Sequence, residues 1–173
     1  LAKEYLLVDG YNIIFAWEDL RDLADDNLEA ARVKLADILC NYQGFKKNEV
    51  ILVFDGHKFR GNPGSIYHYN NIDIVYTKEA ISADQFIETV VQQMGRSYNI
   101  RVATSDALEQ VIILGKGATR VTARELKAEI RAVEKSIEET YKKKVSNKRN
   151  SLIDNLSDEM AELLEKMRLD DSK

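Results

Sequence analysis

Cysteine and proline each occur once in these 173 residues and histidine twice, and these scarcities remove several kinds of chemistry. A lone thiol, Cys40, makes no internal disulfide and holds no zinc cluster. It stands in the helical pattern VKLADILCNY, where it reads as a buried structural residue rather than a nucleophile. His57 and His68 form no metal-ligating cluster and are read as surface residues. Long apolar runs are missing too. VIIL at 111–114 is far shorter than the ~20 residues that cross a bilayer, and no charged-then-apolar leader precedes the first apolar run. A soluble, cytoplasmic protein with no membrane partner is expected. Positive charge is not in excess: the formal net charge is -4 and the pI is near 5.3, which argues against coating nucleic acid through bulk charge. There is no Walker sequence. GKGATR at 115–120 lacks the third glycine of a dinucleotide fingerprint and follows a helical pattern, so it reads as a helix stop, and no nucleotide cofactor is expected.

What is present is a chain with enough apolar residues for one sizeable core and no Pro/Gly/Ser-rich linker to divide it. Unbroken apolar runs at YLLVD, VILVFD, IDIVY and IRVATSD suit strands covered on both faces. Helical patterns lie between most of them. Leu28, Ala31, Leu35, Ile38 and Tyr42 follow one another at three or four residues, the period of one helix face. Phe86, Ile87, Val90, Val91 and Met94 form the stripe of a helix from about 83 to 94, with Ser82 and Gln85 at capping-box spacing. A third helix is expected after TSD at 104–106. Past the short strand-like TRV at 119–121, Thr122 and Glu125 make a second capping box before a long charged helix. Strands alternating with helices predict an α/β fold, a three-layer sandwich around a central, mostly parallel sheet. The stretch GHKFRGNPGSIYHYNN has no helical period and is expected to be a long loop. DEMAELLEKMRLDD, behind Ser157, reads as a final amphipathic helix.

Ligands of such sheets bind outside the carboxyl ends of the strands. Four aspartates fall there: Asp9 ends the first strand, Asp55 ends VILVF, Asp106 follows VATS, and Asp84 opens the helix behind the third strand, with Glu88 one turn on. Carboxylates brought together repel one another, and a divalent cation resolves the conflict. Mg²⁺ or Mn²⁺ takes oxygen ligands and few protein carboxylates, which suits a chain without histidine or cysteine clusters. Such a site activates water and stabilises charge during phosphodiester hydrolysis. Asn12, three residues past Asp9, is placed to orient a carboxylate or a phosphate oxygen. Each aspartate has a plainer reading: Asp84 and Asp106 as first-turn residues that offset a helix dipole, Asp9 and Asp55 as turn residues of DG pairs. The coincidence of four at one edge favours a site.

The basic residues are grouped locally. His57, Lys58 and Arg60 on the long loop are candidate phosphate contacts, and Tyr67 or Tyr69 could stack on bases or alternate along an edge strand. Lys142, Lys143 and Lys144, with Lys148 and Arg149, form a run that is either an RNA contact or a solvated helix end.

LLVDGYNII, VILVFDG, ISADQFIE and VATSDALEQ, in that order, resemble the NYN domains of the PIN-like nuclease superfamily, and within them the YacP-like branch. The similarity spans roughly residues 4–145, which puts an NYN nuclease domain at 1–149 and a C-terminal helical extension at 150–173. The resemblance implies a divalent-metal-dependent endoribonuclease that cuts by water attack, with messenger RNA on the translating ribosome as target. It maps Asp9, Asp84 and Asp106 to the family's acidic positions, Asn12 to its asparagine and Asp55 to the FDG motif. Two rivals stand beside it. One is a non-catalytic RNA- or ribosome-binding module with the same fold. The other is a phosphoacceptor domain, which wants a paired acidic residue where this chain has Gly10 and Tyr11.

Overall fold

The computed structural model describes residues 3–56, 63–107, 115, 117–154 and 158–170, the side chains of 150–154 and 161 excepted. The chain divides into two compact units, Leu1–Glu134 and Lys135–Lys173. The first unit runs β1 (Glu4–Asp9), α1 (Gly10–Ala16), α2 (Glu18–Asp26), α3 (Leu28–Lys46), β2 (Glu49–Phe54), β3 (Ser65–Tyr69), β4 (Ile72–Tyr76), α4 (Ala83–Met94), β5 (Asn99–Ala103) and β6 (Thr119–Val121). It closes with the first part of α5 (Ala123–Asp154), a helix that continues past residue 134 and past the division expected at 149.

The strands order as β3-β4-β2-β1-β5-β6. Every neighbouring pair is parallel except β3 with β4. Because side chains alternate across a strand, β1 feeds both faces. Leu6 and Val8 join Leu52, Phe54 and Ile74 beneath α1–α3 and the start of α5, where Ile13, Leu35, Leu39 and Leu126 complete a core. Leu7 joins Val53, Val75 and Val102 beneath α4, which supplies Ile87 and Val91. Leu6, Leu7 and Val8 are fully buried, and each such side chain contributes about 1.5–3 kcal/mol. The expected three layers around a mostly parallel sheet are therefore present.

Local chemistry sets the helix starts. Asn27 Oδ1 accepts from the Ala30 amide at 3.1 Å and caps α3. Ser82 and Gln85 bond reciprocally at the start of α4, and Thr122 and Glu125 at the start of α5, as their spacing predicts. Gly117, in the expected helix stop, has φ 86, a left-handed conformation that suits glycine. Most of the helix expected after TSD lies outside the described residues.

One local expectation changes. Part of the stretch expected to be a loop is the edge strand β3, which turns back on β4 through Asn70 and Asn71, with Asn70 at φ 52. Its pairing is non-local and its residues are mostly exposed, so no apolar run marks it. The short helix α1 follows β1 directly and α2 follows α1; α2 lays Leu20, Leu23 and Ala24 on the core, a stripe too short to stand out in the sequence.

In the second unit, α5 continues and α6 (Asp158–Asp170) forms the expected final helix; Ser157 lies outside the described residues. Ile137, Tyr141 and Val145 recur at four-residue spacing on α5 and are exposed, as are Met160, Leu163, Leu164 and Met167 on α6. Among the described residues no helix is long and apolar enough to cross a membrane.

Candidate active site at the carboxyl edge of the sheet

The strand order makes one crevice special. From β1 the chain passes to β2 on one side, and later to β5 on the other, so the carboxyl end of β1 is the point where the winding reverses. Asp9 occupies that point. It is the last residue of β1, pairs in register with Val53, and is only 4% exposed. By alternation it points to the α4 side of the sheet, as does Val53, and Asp55 continues the same parity past the end of β2. Asp84 lies in the first turn of α4, which packs beneath β1, β2 and β5. Asp106 follows β5 by three residues. Four elements thus deliver one aspartate each to one edge.

A hydrogen-bonded chain ties this edge together. Asn12 Nδ2, in α1, donates to Asp9 Oδ2 at 2.6 Å, and Ser105 Oγ, beyond β5, donates to Asn12 Oδ1 at 2.8 Å. A buried carboxyl group needs such partners to satisfy its oxygens, and the amide orients it. Two buried threonines fix the neighbouring backbone: Thr104 Oγ1 accepts from the Asp106 amide at 3.1 Å, and Thr77 Oγ1 from the Gly56 amide at 3.0 Å. Gly10 lets α1 start directly after Asp9, since a Cβ there would lie 2.4 Å from Phe54 Cε1 and 3.0 Å from the Val53 carbonyl oxygen.

The structure connects Asp9, Asn12 and Ser105 directly. Among the described residues it draws no three acidic, histidine or cysteine side chains into a ready metal cluster: Asp84 and Asp106 are exposed and Asp55 is half-buried. The donor set nevertheless fits Mg²⁺ or Mn²⁺. All its atoms are oxygens, and these ions keep several waters and need only one or two protein carboxylates. Thr77, Thr104 and Ser105 take part in this edge without being acidic, and their one signal in the sequence is a small hydroxyl residue just beyond an apolar run.

The remaining candidates are dispersed. His57, Lys58 and Arg60 lie outside the described residues. Lys142, Lys143 and Lys144 are exposed on α5 in the second unit, where Lys142 pairs with Glu138 at 2.9 Å. Tyr69 donates to Asp37 Oδ1 at 2.7 Å, while Tyr67 stacks on Tyr76 with ring centres 6.2 Å apart and leaves its outer face in solvent. His68 is an exposed edge-strand residue beside Asp73. Cys40 is half-buried, burial pushes its thiol up, and its Sγ lies 3.6 Å from the Tyr69 carbonyl oxygen, an environment for packing rather than attack.

Comparison with known proteins agrees with this fold. The model of the YacP-like NYN domain matches residues 6–169. The protein YacP of Bacillus subtilis (strain 168) is 40% identical over 169 residues, covering 97% of this chain and 98% of that one. The crystal structure of Rae1 (YacP) from Bacillus subtilis is similar with a TM-score of 0.71 at 39% identity, over 96% of this chain and 95% of the other. That of a point mutant of the same protein gives 0.73 at 35% identity, over 95% and 99%. Fold, motif order and full-length similarity coincide, and the chain belongs to the YacP-like NYN domain family of the PIN-like nuclease superfamily.

Proposed function

We propose that the protein is a cytoplasmic, divalent-metal-dependent endoribonuclease that cleaves messenger RNA, on the translating ribosome, by water attack on a phosphodiester. The observation that carries this reading is the buried Asp9 at the winding reversal, held by Asn12, which is itself held by Ser105 from across the crevice. Asp9, Asp55, Asp84 and Asp106 are the oxygen donors that would hold Mg²⁺ or Mn²⁺. When bound, such an ion lowers the pKa of a water and offsets charge on the attacking and leaving oxygens. Asn12 holds the Asp9 carboxyl group in one orientation. The scissile phosphate would sit above the crevice, where water adds to phosphorus and the P–O bond to the leaving ribose oxygen breaks, giving hydroxyl and phosphate ends. An acidic edge repels RNA, so cations outside it must draw the strand in. His57, Lys58, Arg60, Lys142, Lys143 and Lys144 are assigned that part.

The exposure of Asp84 and Asp106, with no cluster of three acidic side chains among the described residues, favours one second reading, an RNA- or ribosome-binding module that does not cut. A single assay separates the two. Purified parent chain and Asp9→Asn are incubated with RNA in Mn²⁺ and in chelator. Nuclease action requires cleavage by the parent in Mn²⁺ alone and a loss of at least about a hundredfold in the variant. RNA binding without metal-dependent cleavage establishes the binding module instead.

A further inference from the structure

The amino edge of the sheet, at the opposite ends of the strands, carries a cavity of about 670 Å³ bounded by the start of β1, the end of α3 and the start of β2. It is within the size range of small-ligand sites. Four cations and two carboxylates line it. Lys3 pairs with Glu49 at 3.0 Å, and Arg101 is engaged by Glu129 and, at 3.8 Å, by Glu4. Lys46 and Lys47 have no ion-pair partner among the described residues. Lys47 holds φ 60, a left-handed conformation usually taken by glycine or asparagine after a helix, so a cation stands where a smaller residue is the easier choice.

Beside these lysines Asn48 is 93% buried. Its backbone oxygen accepts from Gln43 Nε2 at 2.9 Å, but its side-chain Nδ2 and Oδ1 are both shut off from solvent without a hydrogen-bond partner. Buried amides are nearly always satisfied, and one that is not calls for an explanation. Asn48 belongs to the cavity wall, so a change of its side-chain rotamer would turn a donor and an acceptor toward a polar occupant.

We propose that this cavity binds the phosphate of a nucleotide, free or within an RNA strand, with Lys46 and Lys47 on the phosphate and the Asn48 amide completing the site. It is distinct from the acidic crevice, roughly 20 Å away along six-residue strands at about 3.3 Å per residue. It does not depend on that crevice being catalytic. The plainer account of Lys46 and Lys47, as cations that complement the α3 dipole, predicts no ligand and leaves Asn48 unexplained.

The test is calorimetric titration in chelator, with AMP, adenosine and a short RNA as probes. The parent chain should bind AMP at least tenfold more tightly than adenosine, and Lys46→Gln with Lys47→Gln should remove that preference. Asn48→Leu should weaken AMP binding while leaving the ligand-free melting temperature unchanged or higher, whereas a structural asparagine would lower it. Asp9→Asn should bind AMP like the parent. If only RNA responds to the lysine changes, the phosphate belongs to a strand. If neither probe responds, or adenosine binds as well as AMP, the site is overturned whatever the nuclease assay shows. A misfolded Asn48 variant leaves the lysine arms decisive, because both lysines lie at the helix end and the surface.

Discussion

At the amino edge of the sheet, Glu129 lies against Arg101 and accepts from Tyr42 at 3.0 Å, and Glu49 lies against Lys3. At the carboxyl edge, Asp9 faces the neutral amide of Asn12. Both arrangements satisfy carboxylate oxygens, but they differ in what they do to the charge. An ion pair offsets it locally, at a desolvation cost that grows with burial, while a hydrogen bond from a neutral amide fixes its direction. The same sheet thus uses acidic residues for cohesion at one end and offers them as candidates for chemistry at the other. The helices follow this division. The start of α4 brings Asp84 to the carboxyl edge, while the end of α3 brings Lys46 and Lys47 to the amino edge.

The sharpest way to break the comparison is to neutralise a carboxylate at each end. Asp9→Asn is expected to abolish most cleavage, by about a hundredfold or more. Asp84→Asn should also lose cleavage yet leave melting in chelator unchanged or raised, because it removes like charge from the acidic edge. If Asp84 only offsets the α4 dipole, the variant is slightly less stable and still active. Glu129→Gln should cleave as the parent does. A Glu129 variant that loses cleavage in proportion to an Asp9 variant would end the distinction between the edges.

Next in size is Gly10→Ala. The added Cβ meets the buried Phe54 ring and the Val53 carbonyl, neither of which can retreat freely, so a loss of about 1–3 kcal/mol is expected by chemical denaturation. Because Gly10 adjoins Asp9, cleavage should fall even under conditions where the variant remains folded. Wild-type stability would show that α1 can shift away from β2.

These residues also show what the chain discloses before folding. Asp9, Asp55 and Asp106 are legible because each stands at or just past the end of an unbroken apolar run, where local order alone names the strand end. The helix α4 is legible from its stripe and its capping box. Strand order is not legible, since β1 lies between β2 and β5 through contacts far apart in sequence. The position of Asp9 at the winding reversal therefore becomes visible only in the fold. The same holds for β3, whose pairing rather than its composition makes it a strand, and for Ser105, whose partner Asn12 is 93 residues away. The cationic amino edge was unreadable for a related reason: Lys46, Asn48, Arg101 and Glu129 come from separate elements with no shared motif.

Asn12→Ala tests the amide at intermediate size. Hydrogen bonds to charged groups are worth about 1.5–3 kcal/mol, so losing this one should slow cleavage by about tenfold or more. Ser105→Ala, one bond further from Asp9, should act in the same direction and less. Cleavage unchanged in both would mean that Asp9 is oriented by other contacts.

The smallest effect is a pH dependence at the amino edge. Burial pushes the Glu129 carboxyl up, but hydrogen bonds from Arg101 and Tyr42 and the charges of Arg101 and Lys46 outweigh it, so the group lies below the ordinary glutamate range. The same contact raises the Arg101 guanidinium, and burial together with Glu129 pushes Tyr42 up to about 12. A carboxyl that is more acidic in the folded chain than in the unfolded one adds stability above its unfolded pKa, and that contribution is lost as pH falls through the folded value. The group is partly exposed, so solvent screening limits the whole contribution to about 0.5 kcal/mol. Glu129→Gln should therefore melt slightly lower than the parent at pH 7, and the difference should shrink below about pH 4, near the ordinary carboxyl pKa. An offset that stays constant from pH 7 to pH 3 would assign Glu129 to packing instead of charge, and the two edges would then differ in position but not in their use of carboxylates.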